Sequence, residues 1–145
     1  MAITTNAICN SFKKELLEAT HNFSNPGGNT FKLSMYGTPA TLGKSTTSFT
    51  TGGEVSSPSG GYSSGGLALV NTGTSLATNT AITDFADLSF VNVTLTARGA
   101  LIYNDTNADK AVAVLDFGGE KTATAGTFTI QFPAFTTSAA ILRIA

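Results

Sequence analysis

The sequence predicts a mainly β protein, a β-sandwich or jelly-roll-like domain of about eight strands with one N-terminal amphipathic α-helix. Strand-like apolar segments recur from residue 31 to the end of the chain, whereas only one segment has helical spacing. The polar residues are mostly Thr, Ser, Asn and Gly, which favour strands and turns over helices. A chain of 145 residues is expected to form one domain over residues 1–145.

The helical segment lies near the N-terminus, where Ile8, Phe12, Leu16 and Ala19 follow one another at spacings of four, four and three residues. We therefore predict a helix over residues 5–23 with one apolar face. Two interpretations of that face are open: it covers the sheet of its own domain, or it docks on a neighbouring copy or a larger assembly. Under the second interpretation Ile8, Phe12 and Leu16 are the candidate protein contacts.

Eight segments predict strands. Three of them alternate apolar and polar residues with the period of a half-buried strand: FKLSMY at 31–36, FVNVTLTA at 90–97 and TFTIQF at 127–132. In the second of these, Val91, Val93 and Leu95 are expected to face the core. Shorter apolar runs predict the other five: GLALV at 66–70, TAITDF at 80–85, ALIYN at 100–104, AVAVLDF at 111–117 and AILRIA at 140–145.

Residues 37–66 differ from the rest because they are rich in Gly, Ser and Thr and have little periodicity. We predict a flexible region within the domain. A structureless loop of this length is unusual in a compact domain, so a weak strand is expected near Phe49 or over residues 54–56.

The start of this region, GTPATLGKST at 37–46, has the outline of a phosphate-binding loop. Five residues instead of four separate Gly37 from Gly43, and Pro39 between them lacks an N–H to donate. The sequence that follows has no helical period, although a bound phosphate needs a helix N-terminus. Nucleotide binding is therefore not expected.

The charge composition restricts the class of partner. The net charge is -1 and charged residues make up 12% of the chain, against about 25% in a typical domain. Nucleic-acid binding depends on clustered Lys and Arg, so no nucleic-acid partner is expected. No apolar run approaches a membrane span and no secretory signal is recognised, so we expect synthesis in the cytoplasm and no membrane partner. Arg98 is expected to pair with Asp84, Asp87 or Asp116.

Candidate catalytic and metal sites are few. The chain has one histidine, His21, and one cysteine, Cys9, which would lie about 18 Å apart on a continuous helix and could not act as a pair. Asp105, Asn107 and Asp109 have the spacing of the first ligands of a calcium loop, but Lys occupies the position that needs Gly. This stretch is more simply a polar hairpin turn. We expect no enzymatic activity, no cofactor and no metal, with the loop as a weak calcium candidate.

Five stretches occur in the order CNSFKKELLEATHNF, FKLSMYG, LTARGALIYND, KAVAVLDFGGEKTATAGTFTIQFP and AILRIA. Together they resemble small structural proteins of tailed bacteriophages, cyanophages included. The resemblance covers nearly the whole chain and is weakest across residues 44–80. It implies a virion component without enzymatic activity, a β domain attached to capsid or tail, and it supplies no set of functional residues.

We therefore expect a capsid cement or decoration protein that binds and stabilises the assembled shell. Its partners would be the major capsid protein or other virion proteins, and a homo-oligomer, most simply a trimer, would match the capsid symmetry. The expected location is the virion. The alternative is a receptor- or glycan-binding component of a tail fibre or spike, or another tail-associated structural protein, in which Gly/Ser-rich loops and an exposed Tyr62 form a shallow binding surface.

Overall fold

The computed structural model describes residues 3–58 and 60–145; Met1, Ala2 and Ser59, the last within the Gly/Ser/Thr-rich region, lie outside the described residues. Within these described residues the predicted class is confirmed: they are mainly β, with eight strands in two antiparallel sheets, one short N-terminal helix and a β-sandwich arrangement. In chain order the elements are β1 (Ala7–Ile8), α1 (Asn10–Leu17), β2 (Phe31–Tyr36), β3 (Leu67–Ala68), β4 (Asn71–Ala77), β5 (Thr80–Phe85), β6 (Leu88–Asn104), β7 (Lys110–Ile130) and β8 (Leu142–Ile144). The larger sheet has the strand order β1-β7-β6-β2-β3 and the smaller sheet β4-β5-β8.

Aromatic side chains pack the two sheets together. The ring centroid of Phe85 in β5 lies 5.9 Å from that of Phe31 in β2, and Phe23 stacks on Phe31 at 4.3 Å. Phe132, which follows β7, approaches Phe85 at 5.6 Å. Phe23, Phe31 and Phe85 are all buried, so this aromatic cluster closes the interior between β2, β5 and the segment that follows α1.

β6 and β7 form one long antiparallel hairpin, and each of these strands joins two of the predicted segments. Their register runs from Leu88 opposite Ile130 to Asn104 opposite Lys110. The polar residues 105–109 make the turn, which confirms the predicted hairpin at this position.

A bulge interrupts this hairpin near its middle. Residues 117–120 of β7 lie opposite Arg98 alone, because the register changes between Ala97 and Gly99 of β6. Bulges of this kind bend the strands and increase their twist. Arg98 pairs with Asp116 beside the bulge, so the predicted ion pair of Arg98 is confirmed.

The first part of β6 does not follow the predicted alternation. Val91 is 54% exposed, whereas Phe90 and Val93 are fully buried. Asn92 has φ +55, and the register with β7 shifts between Phe90 and Val93. The expectation that Val91 faces the core is therefore wrong, because one residue in the left-handed region moves the alternation by one position; Val93 and Leu95 do face the core.

β2 was predicted as a half-buried strand but is buried on both faces. It lies between β6 and β3, and its polar residue Ser34 and its last residue, Tyr36, are both fully buried. The Tyr36 hydroxyl accepts a hydrogen bond from Ser34 Oγ at 3.2 Å and donates one to the carbonyl of Thr50 at 2.6 Å. The segment that follows β2 therefore covers the face of this strand that the apolar–polar alternation had predicted to be exposed to solvent.

The helix is shorter than predicted, Asn10–Leu17 instead of residues 5–23. On the N-terminal side the chain pairs with β7 as the short strand β1, and Cys9 occupies the N-cap in an extended conformation. On the C-terminal side Ala19 has φ +57, which ends the helix and turns the chain back. Apolar spacing thus predicted that a helix exists, whereas sheet pairing and this turn determine its ends.

The Gly/Ser/Thr-rich residues 37–66 are fastened to β2 by a buried tyrosine. The Tyr62 hydroxyl accepts the N–H of Met35 at 2.9 Å and donates to Glu54 Oε1 at 2.8 Å. Glu54 Oε1 also accepts the N–H of Gly65 at 2.7 Å. Tyr62 is 9% exposed, so the expectation of an exposed Tyr62 is wrong. Its ring is buried because its hydroxyl bridges the strand and the loop.

The weak strand predicted in this region occurs as two isolated bridges. Ser48, next to Phe49, pairs with Lys110 of β7. Glu54, the first of the predicted residues 54–56, pairs with the end of β2. Backbone pairing is therefore present at both predicted positions, but it extends over one residue at each.

Candidate functional site

An apolar groove of about 630 Å³ lies between α1 and the smaller sheet. β1 and α1 supply one wall, which includes Ile8, Phe12 and Leu16. β5 and β8 supply the opposite wall, which includes Leu142 and Ile144. The groove thus brings the start of the chain together with its last strand.

The wall formed by the smaller sheet remains apolar where it reaches solvent. Leu76, Ala81 and Ile144 are direct cross-strand neighbours on β4, β5 and β8, so their side chains share one face of the sheet. Leu76 is 72% exposed and Ile144 is 61% exposed. Leu17, at the end of the helix that forms the other wall, is 92% exposed. Ile144 lines the groove itself, whereas Leu76 lies on the same face of the sheet without lining the groove. An exposed apolar side chain at such a groove is typical of a surface that binds protein.

The three candidate contact residues all line this groove but differ in exposure. Phe12 is 2% exposed, and its ring centroid lies 4.8 Å from that of His21 and 6.0 Å from that of Phe23. Ile8 and Leu16 are half-buried and pack against the edge of the core. Phe12 therefore forms the floor of the groove, and Ile8 and Leu16 present the surface that a partner could contact.

The sequence did not indicate the opposite wall of the groove. Leu76 lies in β4, a strand that no segment predicted, because NTGTSLA contains one large apolar residue and a glycine. Ile144 and Leu142 lie in a predicted strand, AILRIA, and their alternation was the available signal. What the sequence could not indicate is that this strand faces α1.

Two residues with charged side chains are among the described residues that line the groove. They are Lys13 of α1 and Arg143 of β8. Arg143 Nη1 donates to the carbonyl of Ser138 at 3.0 Å, and Lys13 Nζ donates to Asn10 Oδ1 at 3.3 Å. Within residues 3–58 and 60–145 neither cation forms an ion pair. Arg143 lies between Leu142 and Ile144 on β8, so its side chain leaves the strand on the face opposite to theirs.

A buried polar network joins α1, the segment after it and the β6–β7 turn. His21 Nε2 lies 2.6 Å from Glu15 Oε2, and Asn104 Nδ2 lies 3.0 Å from His21 Nδ1. Asn104 Nδ2 also donates to Asn29 Oδ1 at 2.9 Å. Glu15, His21 and Asn104 are all buried, so the network holds three parts of the chain together inside the fold.

The hydrogen bonds determine the tautomer of His21. Asn104 Oδ1 accepts the N–H of Thr106 at 3.1 Å and the N–H of Asn107 at 3.2 Å, so the amide nitrogen of Asn104 is the atom that faces His21. Nδ1 of His21 is therefore an acceptor, and Nε2 carries the proton that is donated to Glu15 Oε2. Both ring nitrogens are thus occupied within the protein.

Cys9 is buried and is not activated as a nucleophile. Burial, and to a smaller extent the charge of Glu15, raises the pKa of the Cys9 thiol to about 11, whereas a nucleophilic cysteine needs a lowered pKa. The expected 18 Å separation from His21 assumed a continuous helix, which is wrong because α1 ends at Leu17. Both ring nitrogens of His21 already have partners, Glu15 and Asn104, so neither is directed at Cys9.

The weak calcium candidate, Asp105, Asn107 and Asp109, forms the β6–β7 turn. Asn107 Nδ2 donates to the carbonyl of Thr20 at 2.5 Å, which turns this amide inward, and Asp105 pairs with Lys32 at 3.4 Å. Asp109 has φ +53 in the turn itself. In the described residues, no group of three His, Cys, Asp or Glu side chains is placed to hold a metal ion.

The GTPATLGKST stretch forms two tight turns after β2. The N–H of Ala40 donates to the carbonyl of Gly37 at 3.1 Å, and the N–H of Thr46 donates to the carbonyl of Gly43 at 3.0 Å. Residues 47–58, which follow, contain turns and bridges but no helix. The turns therefore do not meet the helix N-terminus that a bound phosphate would need.

Asp84 in β5 is a buried carboxylate with incomplete hydrogen bonding. Its Oδ1 accepts the N–H of Phe85 at 2.9 Å, whereas its Oδ2 has no hydrogen-bond partner within residues 3–58 and 60–145. Burial raises the pKa of Asp84, and the neighbouring backbone N–H groups reduce this rise. The folded-state pKa lies above the unfolded one, so the contribution of Asp84 to stability is greatest below the unfolded pKa and is lost as the pH rises through the folded pKa.

Asp84→Asn is expected to raise the melting temperature at pH 7 by a few degrees, because it removes a charge that folding must desolvate. The gain should shrink as the pH falls toward about 3, where the carboxyl is protonated in both states. Thermal melts at the two pH values measure this. Glu120→Gln changes an exposed carboxyl whose charge is not among the causes of the raised pKa of Asp84, and it serves as the control. Equal gains from both variants, or a gain that does not depend on pH, would contradict the account.

Comparisons with protein-family models, with curated proteins and with solved structures find no match to this chain. Among the described residues, none of the helices has the length and apolar character needed to span a membrane. The apolar groove between α1 and the smaller sheet is the feature of the described residues that indicates a binding function.

Proposed function

We propose that this chain is a structural protein of bacteriophage virions, a capsid cement or decoration protein that binds the assembled shell and stabilises it. The observation that carries the proposal is the apolar groove between α1 and the smaller sheet, with Ile144 exposed on its wall and Leu76 exposed on the same face of that sheet. Contiguous apolar surface of this kind marks a binding site for another protein. The resemblance to small virion proteins of tailed phages supplies the class of partner.

The proposed mechanism is binding without catalysis. A cement protein that binds the closed shell and not its separated subunits shifts the equilibrium toward the closed shell by mass action. Burial of the apolar groove supplies much of the binding free energy. The β-sandwich presents the groove preformed, so little conformational freedom is lost on binding.

The proposed partners are the major capsid protein or other virion proteins, together with further copies of this chain. A homotrimer at a three-fold position of the shell would repeat one contact under closed symmetry. The protein would be made in the host cytoplasm and would reside in the virion. No nucleic acid, membrane or cofactor takes part in this mechanism.

The alternative is a receptor- or glycan-binding component of a tail fibre or spike, or another tail-associated protein. The residue that was expected to contact its ligand, Tyr62, does not lie on the surface. Tyr62 is buried and its hydroxyl serves Met35 and Glu54, so it offers no surface to a ligand. Capsid attachment is therefore the proposal we favour. The number of copies per particle distinguishes the two.

Particles of the phage that encodes this chain are expected to contain it in a number comparable with that of the major shell protein. Mass spectrometry with labelled standard peptides of both proteins measures the ratio in particles freed of soluble protein on a density gradient. A measured number as low as tens of copies per particle would exclude a shell-wide cement and favour tail attachment. Absence from washed particles would contradict a virion role.

Particles stripped of the protein are expected to release DNA at a lower temperature than intact ones, and re-addition of the purified chain should restore the difference. Ile144→Asp should fail to restore it, because this residue is 61% exposed and lines the groove. Val91→Asp is the matched control, since Val91 is 54% exposed and does not line the groove. Equal rescue by both variants would place the shell contact elsewhere on the chain.

A further inference from the structure

We propose that Asp84 and the C-terminal turn, residues 136–140, form a pH-dependent latch: ionisation of the Asp84 carboxyl loosens the turn and the strand β8 that follows it, and protonation holds them closed. The inference goes beyond the proposed function and does not depend on it, since it concerns the isolated chain. It rests on three observations: the position of the turn on the smaller sheet, the burial of Asp84, and the missing hydrogen-bond partner of one of its oxygens.

The C-terminal turn lies over the outer face of the smaller sheet. Ile82 of β5 is the direct neighbour of Arg143 on β8, so both side chains leave the sheet on one face, opposite to Ile144. From that face Arg143 Nη1 donates to the carbonyl of Ser138 at 3.0 Å. The guanidinium therefore fastens the turn to the face that carries Ile82 and, two residues further along β5, Asp84.

Asp84 and Ile82 are buried on this outer face. Asp84 is 1% exposed, although the outer face of a sheet is exposed to solvent unless another segment covers it. Ala140, at the end of the C-terminal turn, is buried as well, and its N–H donates to the carbonyl of Thr136 at 3.0 Å. Opening of the turn would therefore bring the Asp84 carboxyl into contact with water.

The Asp84 carboxylate is incompletely hydrogen-bonded while the turn is closed. Its Oδ1 accepts the N–H of Phe85 at 2.9 Å, and its Oδ2 has no hydrogen-bond partner among the described residues. Burial raises the pKa of Asp84; the nearby N–H groups of Phe85 and Ile141 reduce this rise, and the charge of Asp87 adds to it. A charge that is buried without a full set of partners is stabilised when the structure opens and admits water.

The other charged groups of the surrounding elements do not neutralise Asp84. β4 and residues 131–140 contain no charged side chain. Asp87, which follows β5, is a second carboxylate, and its Oδ1 accepts the N–H of Phe132 at 2.8 Å. Arg143 of β8 donates to carbonyls of the turn, and within residues 3–58 and 60–145 it forms no ion pair with Asp84. The terminal carboxylate, on Ala145, lies beyond the end of β8 that is farther from Asp84.

The direction of the pH dependence follows from the raised pKa of Asp84 in the closed form. Below the ordinary pKa of an aspartate, about 3.9, Asp84 is protonated in both the closed and the open form, and closure is most favourable. As the pH rises through the pKa of the closed form, the population of the open form increases, and above that pKa it stays constant. Because β8 supplies part of one wall of the groove, that wall is held less firmly at neutral pH than in acid.

Native-state hydrogen exchange of the full chain tests the latch. Exchange is followed by NMR between about pH 4 and about pH 7 and is corrected for the intrinsic rate at each pH. The amides of Ala140 and β8 are expected to exchange faster than the slowest amides of β6, which would mark a local opening of the turn and β8. The protection of these amides should fall several-fold as the pH rises over this range.

Two substitutions assign the pH dependence to Asp84. Asp84→Asn should keep the protection of Ala140 and β8 at its acid value throughout the range, because an amide stays uncharged and its oxygen can still accept the N–H of Phe85. Glu120→Gln also removes a carboxylate, but an exposed one whose charge is not among the causes of the raised pKa of Asp84. This control should retain the pH dependence of the unsubstituted chain. Circular dichroism melts of both variants establish that they are folded.

Three outcomes would overturn the proposal. Exchange of Ala140 and β8 together with the slowest amides of β6 would mean that Asp84 acts only when the whole domain unfolds. A local opening whose pH dependence persists in Asp84→Asn would assign the switch to another group. If calcium or sodium ions restore the protection at about pH 7 in the unsubstituted chain and not in Asp84→Asn, the unpartnered oxygen is a cation ligand and the turn is not a latch.

Discussion

Gly66→Ala is expected to lower the free energy of unfolding by at least ~3 kcal/mol, a large share of the ~5–15 kcal/mol that stabilises a typical domain. A Cβ atom on Gly66 would lie 1.7 Å from the carbonyl oxygen of Leu33 and 2.6 Å from its carbonyl carbon. Both atoms belong to the backbone of β2, a strand paired on both sides, so neither can move away cheaply. The φ angle of Gly66 is +73, which adds the strain of the left-handed region.

The same position joins the Gly/Ser/Thr-rich region to the sheet. The N–H of Gly66 donates to the carbonyl of Ser63 at 2.9 Å, and the carbonyl of Gly65 accepts the Tyr103 hydroxyl at 2.6 Å. β3 begins at the next residue and pairs with β2. A side chain at residue 66 would therefore separate β3 and the turn before it from the sheet. The expected loss of free energy of unfolding is for this reason larger than the loss from one broken contact.

Gly118→Ala is the matched control, because Gly118 has φ +76 but a Cβ there would meet nothing within 4 Å. It should cost only the backbone strain, about 1–2 kcal/mol. Denaturant unfolding of the two variants beside the unsubstituted chain measures both values. If the two losses are equal, the close approach of Gly66 to β2 is incorrect.

The fold class could be predicted because its signals are local. Alternation of apolar and polar residues in TFTIQF correctly placed Phe128 and Ile130 in the core. The predicted number of strands also agrees with the observed number, but partly because errors in opposite directions cancelled. Four predicted segments merge into β6 and β7, while β1 and β4 were not predicted. Glycines inside the long hairpin, such as Gly118, were interpreted as the ends of strands, although the pairing between β6 and β7 continues past them.

The departures from prediction come from contacts that are distant in sequence. Val91 was placed on the wrong face because Asn92 adopts a positive φ in a bulge that depends on pairing with β7. Tyr62 was expected on the surface because its neighbours are Gly and Ser, yet its hydroxyl reaches the N–H of Met35 and the carboxylate of Glu54. Neither contact leaves a periodic signal in the local sequence.

The candidate site was predictable on one side only. Ile8, Phe12 and Leu16 followed from helical spacing, and all three line the groove. The opposite wall consists of residues more than sixty positions later, including Ile144, and only the tertiary arrangement places them against α1.

α1 connects this site with the interior of the protein. Its residues Phe12 and Leu16 line the groove, while Glu15 of the same helix enters the buried network with His21. The helix has only eight residues, too short to be stable by itself, so tertiary contacts must hold it in place. The network is therefore expected to control both the stability of the fold and the shape of the groove.

Asn104→Ala is expected to lower the free energy of unfolding by about 3–4 kcal/mol, because it removes four hydrogen bonds of a fully buried side chain at once. The substitution leaves His21 Nδ1 without its donor and the N–H groups of Thr106 and Asn107 without their acceptor, whereas Asn29 Oδ1 keeps the N–H of Asn22 as a donor. Each buried group that loses its partner has a desolvation cost that water cannot recover.

Asn6→Ala is the control for this prediction, because the exposed Asn6 amide accepts one hydrogen bond, from the N–H of Asp116 at 2.6 Å. This substitution should lower the free energy of unfolding by much less than Asn104→Ala. Denaturant unfolding measures the stabilities, and native-state hydrogen exchange reports whether the α1 amides open more readily in Asn104→Ala. If the network fixes the helix, exchange in α1 should accelerate more than exchange in β4 or β5, which do not contact Asn104 through any of these hydrogen bonds. Uniform acceleration across the chain would mean that Asn104 supports the fold as a whole and does not position the wall of the groove.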